Sequence, residues 1–134
     1  MRRRLTLAQQ AFGLRGRFSD AHVQFSPPGL VCVLDLKPTP LSKSYTVRIE
    51  YNGYSRPVVK VQSPSLECIP GRELPHTFED DELCLHLHEE WGPEDLITTT
   101  IIPWASEWLL HYELWLASGG TWSGGGHEPE TEAA

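Results

Sequence analysis

Apolar and polar positions alternate along several stretches of this chain and recur at helical spacing along another, and those patterns lay out most of its architecture. Between Tyr45 and Tyr51 the alternation is strict, with Tyr45, Val47, Ile49 and Tyr51 on one side and Thr46, Arg48 and Glu50 on the other. That is the period of a strand with one buried face. Ala21 to Phe25 alternates in the same way, Leu30 to Leu36 is a near-continuous aliphatic run, and Val58 to Gln62 adds a fourth strand-like run. Ser26-Pro27-Pro28-Gly29, Pro38-Thr39-Pro40 and Asn52-Gly53 lie between them, and these are turn formers at hairpin spacing. The four runs predict an antiparallel meander.

The strongest helical pattern is Ile101, Ala105, Trp108, Leu109, Tyr112, Trp115 and Leu116, whose spacings of three and four make one wide apolar stripe suited to roofing a sheet. Thr98 to Thr100 offer capping hydroxyls, Pro103 suits a first turn and Gly119-Gly120 make a natural stop. A short helix over residues 5 to 14 is expected from Leu5, Leu7, Phe12 and Leu14, weakened by Gly13. From Ser63 to Asp81 prolines and polar residues make a long loop, of the kind that is usually functional or disordered. It leads into Glu82-Leu83-Cys84-Leu85-His86-Leu87-His88, an alternation that predicts leucines facing the core and Cys84, His86 and His88 on the other side. After Trp122 come Gly124-Gly125-Gly126-His127 and an acidic end, read as a flexible tail over residues 123–134 following one domain over residues 1–122.

Composition narrows the function. At 134 residues, 40% of them hydrophobic, the chain suits one core. A net charge of −7, from 18 acidic and 11 basic residues, repels nucleic acid outside the cluster Arg2, Arg3, Arg4, Arg15 and Arg17. No nucleic-acid partner is expected. Cys32, Cys68 and Cys84 leave an odd thiol under any pairing, which fits a reducing, cytoplasmic setting. The basic start lacks a clean apolar core and a small-residue cleavage site, so it reads as mature protein. No apolar run reaches the ~20 residues that span a bilayer, and no membrane partner is expected.

Cys84 is the candidate nucleophile. It follows the long loop, where a thiol can be half exposed while Leu83 and Leu85 hold it, and a thioester divides a hard acyl transfer into two easier steps. A buried structural cysteine is the other reading of the same position. Cys32, inside an aliphatic strand, is structural, and Cys68 is open to either reading. His76, His86 and His88 raise a zinc site. However, Cys84, His86 and His88 at alternate strand positions would stand about 7 Å apart, wide for ligands converging on an ion ~2.0–2.3 Å from each. No metal is expected, and His86 and His88 are taken as solvated. No serine sits in a nucleophile elbow, and the glycine run lacks the Lys-Ser/Thr of a phosphate loop. No cofactor is expected, and the acyl group must be activated elsewhere.

The order of elements, with Leu74-Pro75-His76-Thr77-Phe78, Leu83-Cys84-Leu85, Glu90-Trp91-Gly92-Pro93 and the strands Tyr45 to Tyr51 and Arg56 to Val59, resembles ubiquitin-conjugating enzymes over roughly residues 1–117. In that family a His-Pro-Asn motif precedes the reactive cysteine. Here Thr77 stands where the oxyanion-stabilising asparagine is needed, and the loss of one such donor costs ~10²–10³ in rate. His76 or a backbone amide is the substitute. A tighter similarity joins Pro75-His76, Leu83-Cys84-Leu85, Ile101-Ile102-Pro103-Trp104, Glu107-Trp108-Leu109, Tyr112-Glu113, Trp115-Leu116 and Trp122 to the prokaryotic ubiquitin-conjugating-like proteins of short type II CBASS anti-phage operons.

That resemblance implies an α+β fold of the ubiquitin-conjugating-enzyme-like type, with an N-terminal helix, a four-stranded antiparallel meander and a long C-terminal helix. It also implies a transferase. Cys84, supported by His76, would form a thioester with the C-terminus of a cGAS-like nucleotidyltransferase and pass it to a lysine. The alternative is a catalytically weak scaffold of the same fold that binds and stabilises the nucleotidyltransferase. Of the tryptophans, Trp108 and Trp115 are expected in the core and Trp122 at an interface.

Overall fold

The structure is a computed structural model that describes residues 3–86 and 90–123. Helix α1 (Leu7–Arg17) starts where Thr6 and Gln9 cap it reciprocally. The Gln9 N–H donates to the Thr6 hydroxyl at 3.0 Å, and the Thr6 N–H donates to the Gln9 side-chain oxygen at 2.8 Å. This capping box satisfies two donors that a helix start leaves open. It places the start after Thr6 rather than at Leu5, and the helix runs through Gly13 beyond the expected end.

Strands β1 (His22–Ser26), β2 (Gly29–Leu36), β3 (Tyr45–Tyr51) and β4 (Val58–Ser63) form one antiparallel sheet in sequence order. Val23 pairs with Cys32, Cys32 with Ile49, and Ile49 with Val59, so one apolar row crosses all four strands. A one-residue slip in any pairing would turn that strand's apolar set to solvent. Gly29 opens β2 because a Cβ there would lie 1.8 Å from the Tyr51 carbonyl oxygen.

Helix α2 (Ile101–Ser118) buries Ile101, Ile102, Ala105, Trp108, Leu109, Tyr112 and Trp115, and these join the inner sheet residues in one core. The Tyr45 ring meets Tyr112 edge-on, and the Tyr45 hydroxyl donates to Glu113 at 2.7 Å. Gly119 ends the helix in the left-handed conformation at φ 78°. No threonine side chain caps its start. Thr100 instead donates its hydroxyl to the Leu96 carbonyl at 2.6 Å and accepts from the Trp91 indole at 3.0 Å. This fastens the 3-10 turn Ile97–Thr99 that precedes the helix.

Gln10 carries the join between α1 and this region. Fully buried, it donates its side-chain amide to the Asp95 carbonyl at 2.8 Å and accepts the Ile97 N–H at 3.0 Å. Both ends of the amide are therefore satisfied in the core. Among the described residues no helix is long and apolar enough to cross a membrane. The acidic tail from residue 124 onward lies outside the described residues.

Candidate active site

The approach to Cys84 is a clasped turn on the open edge of β4. The Thr77 hydroxyl donates to the Leu74 carbonyl at 3.1 Å, Thr77 and Leu83 form an isolated bridge, and the Phe78 N–H donates to the Glu82 carbonyl at 2.7 Å. The Leu83 N–H donates to the Val59 carbonyl at 2.9 Å, so the turn is tied onto β4. Between its arms, the 3-10 turn Glu79–Asp81 holds Asp80 at φ 59° and Asp81 at φ 58°. His76 is at φ 54°. Left-handed backbone costs a residue with a Cβ of order 1 kcal/mol and is concentrated at functional sites.

His76 governs where Cys84 sits, and it does so through its carbonyl. That oxygen accepts the Cys84 N–H at 2.9 Å and the Trp108 indole N–H from α2 at 3.0 Å. The His76 ring lies on Trp122, with centroids 4.9 Å apart. The structure therefore brings the two expected site residues together along the backbone.

The thiol itself is buried, with Cys84 only 1% exposed and its Sγ 3.9 Å from the His86 carbonyl oxygen. The expected half-exposed side chain is corrected accordingly. So is the expected alternation over residues 82 to 88, since among its described residues Leu83, Cys84, Leu85 and His86 are all buried and residues 82 to 86 form no strand beyond the isolated bridge at Leu83. His86, expected in solvent, is 7% exposed, with its ring 5.5 Å from that of Trp104. α2 covers the side that the alternation had assigned to water. His88 lies outside the described residues. Among the described residues no three His, Cys, Asp or Glu side chains are placed to share a metal ion.

Glu82 and Arg56 form a pair beside the candidate site that the sequence did not signal. The nearly buried carboxylate of Glu82 takes two hydrogen bonds from Arg56, each 3.1 Å, and the guanidinium lies 4.2 Å from the centre of the Phe78 ring. The pair braces the turn from outside. Nothing in their local sequence signals it, because the partners are separated by the whole of β4 and the loop. Cys68 is exposed and lines a groove of about 1130 Å³ together with Arg72, His76 and Phe78, whereas Cys84 does not line it. Cys32 is wholly buried, and burial, then the charge of Asp20, push its thiol up to about 11. It is a structural thiol.

Trp108 and Trp115 are core residues, as expected. Trp122, expected at an interface, has its ring turned partly inward. It is partly buried against the core, among His76, Trp108 and His111.

The family model described as the Type II CBASS E2 protein matches residues 10–129. The chain belongs to that family. No curated protein matches it. This CBASS E2 protein is thus an E2-like component of CBASS, a cGAS-like antiviral defence system. Its described residues have the expected α+β order of an N-terminal helix, a four-stranded antiparallel sheet and a long C-terminal helix. At the clasped turn of this CBASS E2 protein, Cys84 is buried, held at its backbone amide and flanked by the buried Leu83 and Leu85.

Proposed function

We propose that this chain is a ubiquitin-conjugating-like acyl transferase whose nucleophile is Cys84. The Cys84 thiolate attacks the activated C-terminal carbonyl of a partner cGAS-like nucleotidyltransferase, forming a C–S bond as the activating group leaves. A lysine amine then attacks the thioester, the C–S bond breaks, the amine loses a proton and the thiolate is regenerated. The observation that carries the reading is the hydrogen bond from the Cys84 amide to the carbonyl of left-handed His76, which fixes the cysteine at the end of a clasped turn. His76 is a positioning residue in this scheme. The hydroxyl proton of Thr77 is committed to Leu74, so oxyanion stabilisation falls to a backbone amide.

The burial of Cys84 favours a second reading, a scaffold that binds the nucleotidyltransferase without covalent chemistry. Intact-mass spectrometry of the chain co-expressed with the nucleotidyltransferase, with and without Cys84→Ala, separates the two. A Cys84-dependent adduct that falls to hydroxylamine supports acyl transfer. A complex of equal stability in both versions, with no adduct, leaves the scaffold.

A further inference from the structure

Beyond the clasped turn, the residues after α2 fold back onto the same place. Gly119 at φ 78° and Gly120 at φ 126° reverse the chain, in backbone that residues with a Cβ rarely adopt. The Ser118 hydroxyl accepts the Thr121 N–H at 2.9 Å, and Arg72, from the loop that carries His76, donates to the Gly120 carbonyl at 3.0 Å. A Cβ on Gly120 would stand 2.5 Å from that guanidinium, which would have to swing aside, and the φ of 126° is itself backbone that glycine favours. Trp122 is thereby delivered onto three aromatic rings, His76 at 4.9 Å, Trp108 at 5.4 Å and His111 at 6.1 Å. Two of these belong to the junction that holds Cys84, where the Trp108 indole and the Cys84 amide share the His76 carbonyl.

We propose that residues 119–123 form a strap, and that Trp122 is a positioning residue for Cys84, acting through His76 and Trp108. The inference rests on the reading of Cys84 as the reactive thiol. Packed, Trp122 presses His76 into its left-handed conformation and keeps its carbonyl directed at the Cys84 amide. Without it, three aromatic pairs are lost, two of them at the junction itself, and the turn opens more often, exposing the thiol while losing the alignment that transfer needs. The two consequences have opposite signs.

The test uses the full chain in a Cys68→Ser background, with Trp122→Ala and Trp122→Phe. Maleimide modification of Cys84 and Cys32 is followed by peptide mass spectrometry. Loss of the aromatic contacts in Trp122→Ala should speed Cys84 modification by about tenfold, leave Cys32 as slow as in the parent and reduce conjugate formation with the nucleotidyltransferase. Trp122→Phe, which keeps a ring, should fall near the parent. An unchanged Cys84 rate in Trp122→Ala overturns the proposal, and so does a parallel rise at Cys32, which would mark general loosening. Absence of any hydroxylamine-sensitive adduct in the parent instead counts against the acyl-transfer reading, a separate result that the labelling rates do not affect.

Discussion

Maleimide labelling of the native chain should rank its three thiols, with Cys68 fastest, Cys84 intermediate and Cys32 slowest. Cys68 is exposed and should react at the rate of a free thiol. Cys84 is buried, but its release needs only local opening of the turn. That breaks the bonds from the Cys84 amide to His76 and from the Leu83 amide to Val59, about 1 kcal/mol each net. It also partly uncovers Leu85, for another ~1–2 kcal/mol. The sum, about 3–4 kcal/mol, protects Cys84 by ~10²–10³ relative to Cys68, at 1.4 kcal/mol per decade. Cys32 lies in β2, paired on both sides, so it is uncovered only by global unfolding, typically ~5–15 kcal/mol. Its protection should exceed that of Cys84 by about fivefold or more. The assay is a time course with isotopically distinct maleimides and peptide mass spectrometry. If Cys84 proves as slow as Cys32, the clasped turn has no opening of its own and a role as nucleophile is refuted. If it matches Cys68, the burial argument is wrong.

Replacing Gln10 by Leu removes two hydrogen bonds and leaves the Ile97 N–H and Asp95 carbonyl without that partner. The expected loss is about 3 kcal/mol, read by calorimetry as a fall in Tm of about 10 °C. Arg56→Lys keeps the charge but loses the two-pronged grip on Glu82 and the stacking on Phe78. With the arginine well exposed, the cost should be about 1 kcal/mol, seen as a lower urea midpoint together with faster Cys84 labelling. Alkaline pH supplies a further check. Burial, then the hydrogen bond to the Glu113 carboxylate, raise Tyr45, and burial raises Tyr51 and Tyr112. The folded chain therefore holds these phenol protons more tightly than the unfolded chain, whose tyrosines titrate near ~10. Their contribution to stability should be complete below that pH and decline as pH rises above it. Denaturant midpoints alongside phenolate absorbance measure this, and Tyr45→Phe should flatten the decline.

The elements whose periodicity is local were legible from the residues alone. β3 matches its alternation end to end, the meander follows from three turn signals, and α2 follows from its stripe and its glycine stop. Spacing and motif resemblance also singled out Cys84 and His76. How they are arranged was not legible, because the His76 carbonyl is shared between the Cys84 amide and an indole on a helix far along the chain. The stretch after Glu82 shows why. An alternating pattern predicts one wet face only if nothing packs on that face, and here α2 brings Trp104 against His86 and Trp108 against the His76 carbonyl. The burial of Cys84, the Arg56 and Glu82 brace, the Gln10 staple and the folding back of Trp122 all depend on contacts between segments distant in sequence. Local patterning reports which face of an element is apolar. Only the packed structure decides which polar groups meet there and what must open before a thiol can react.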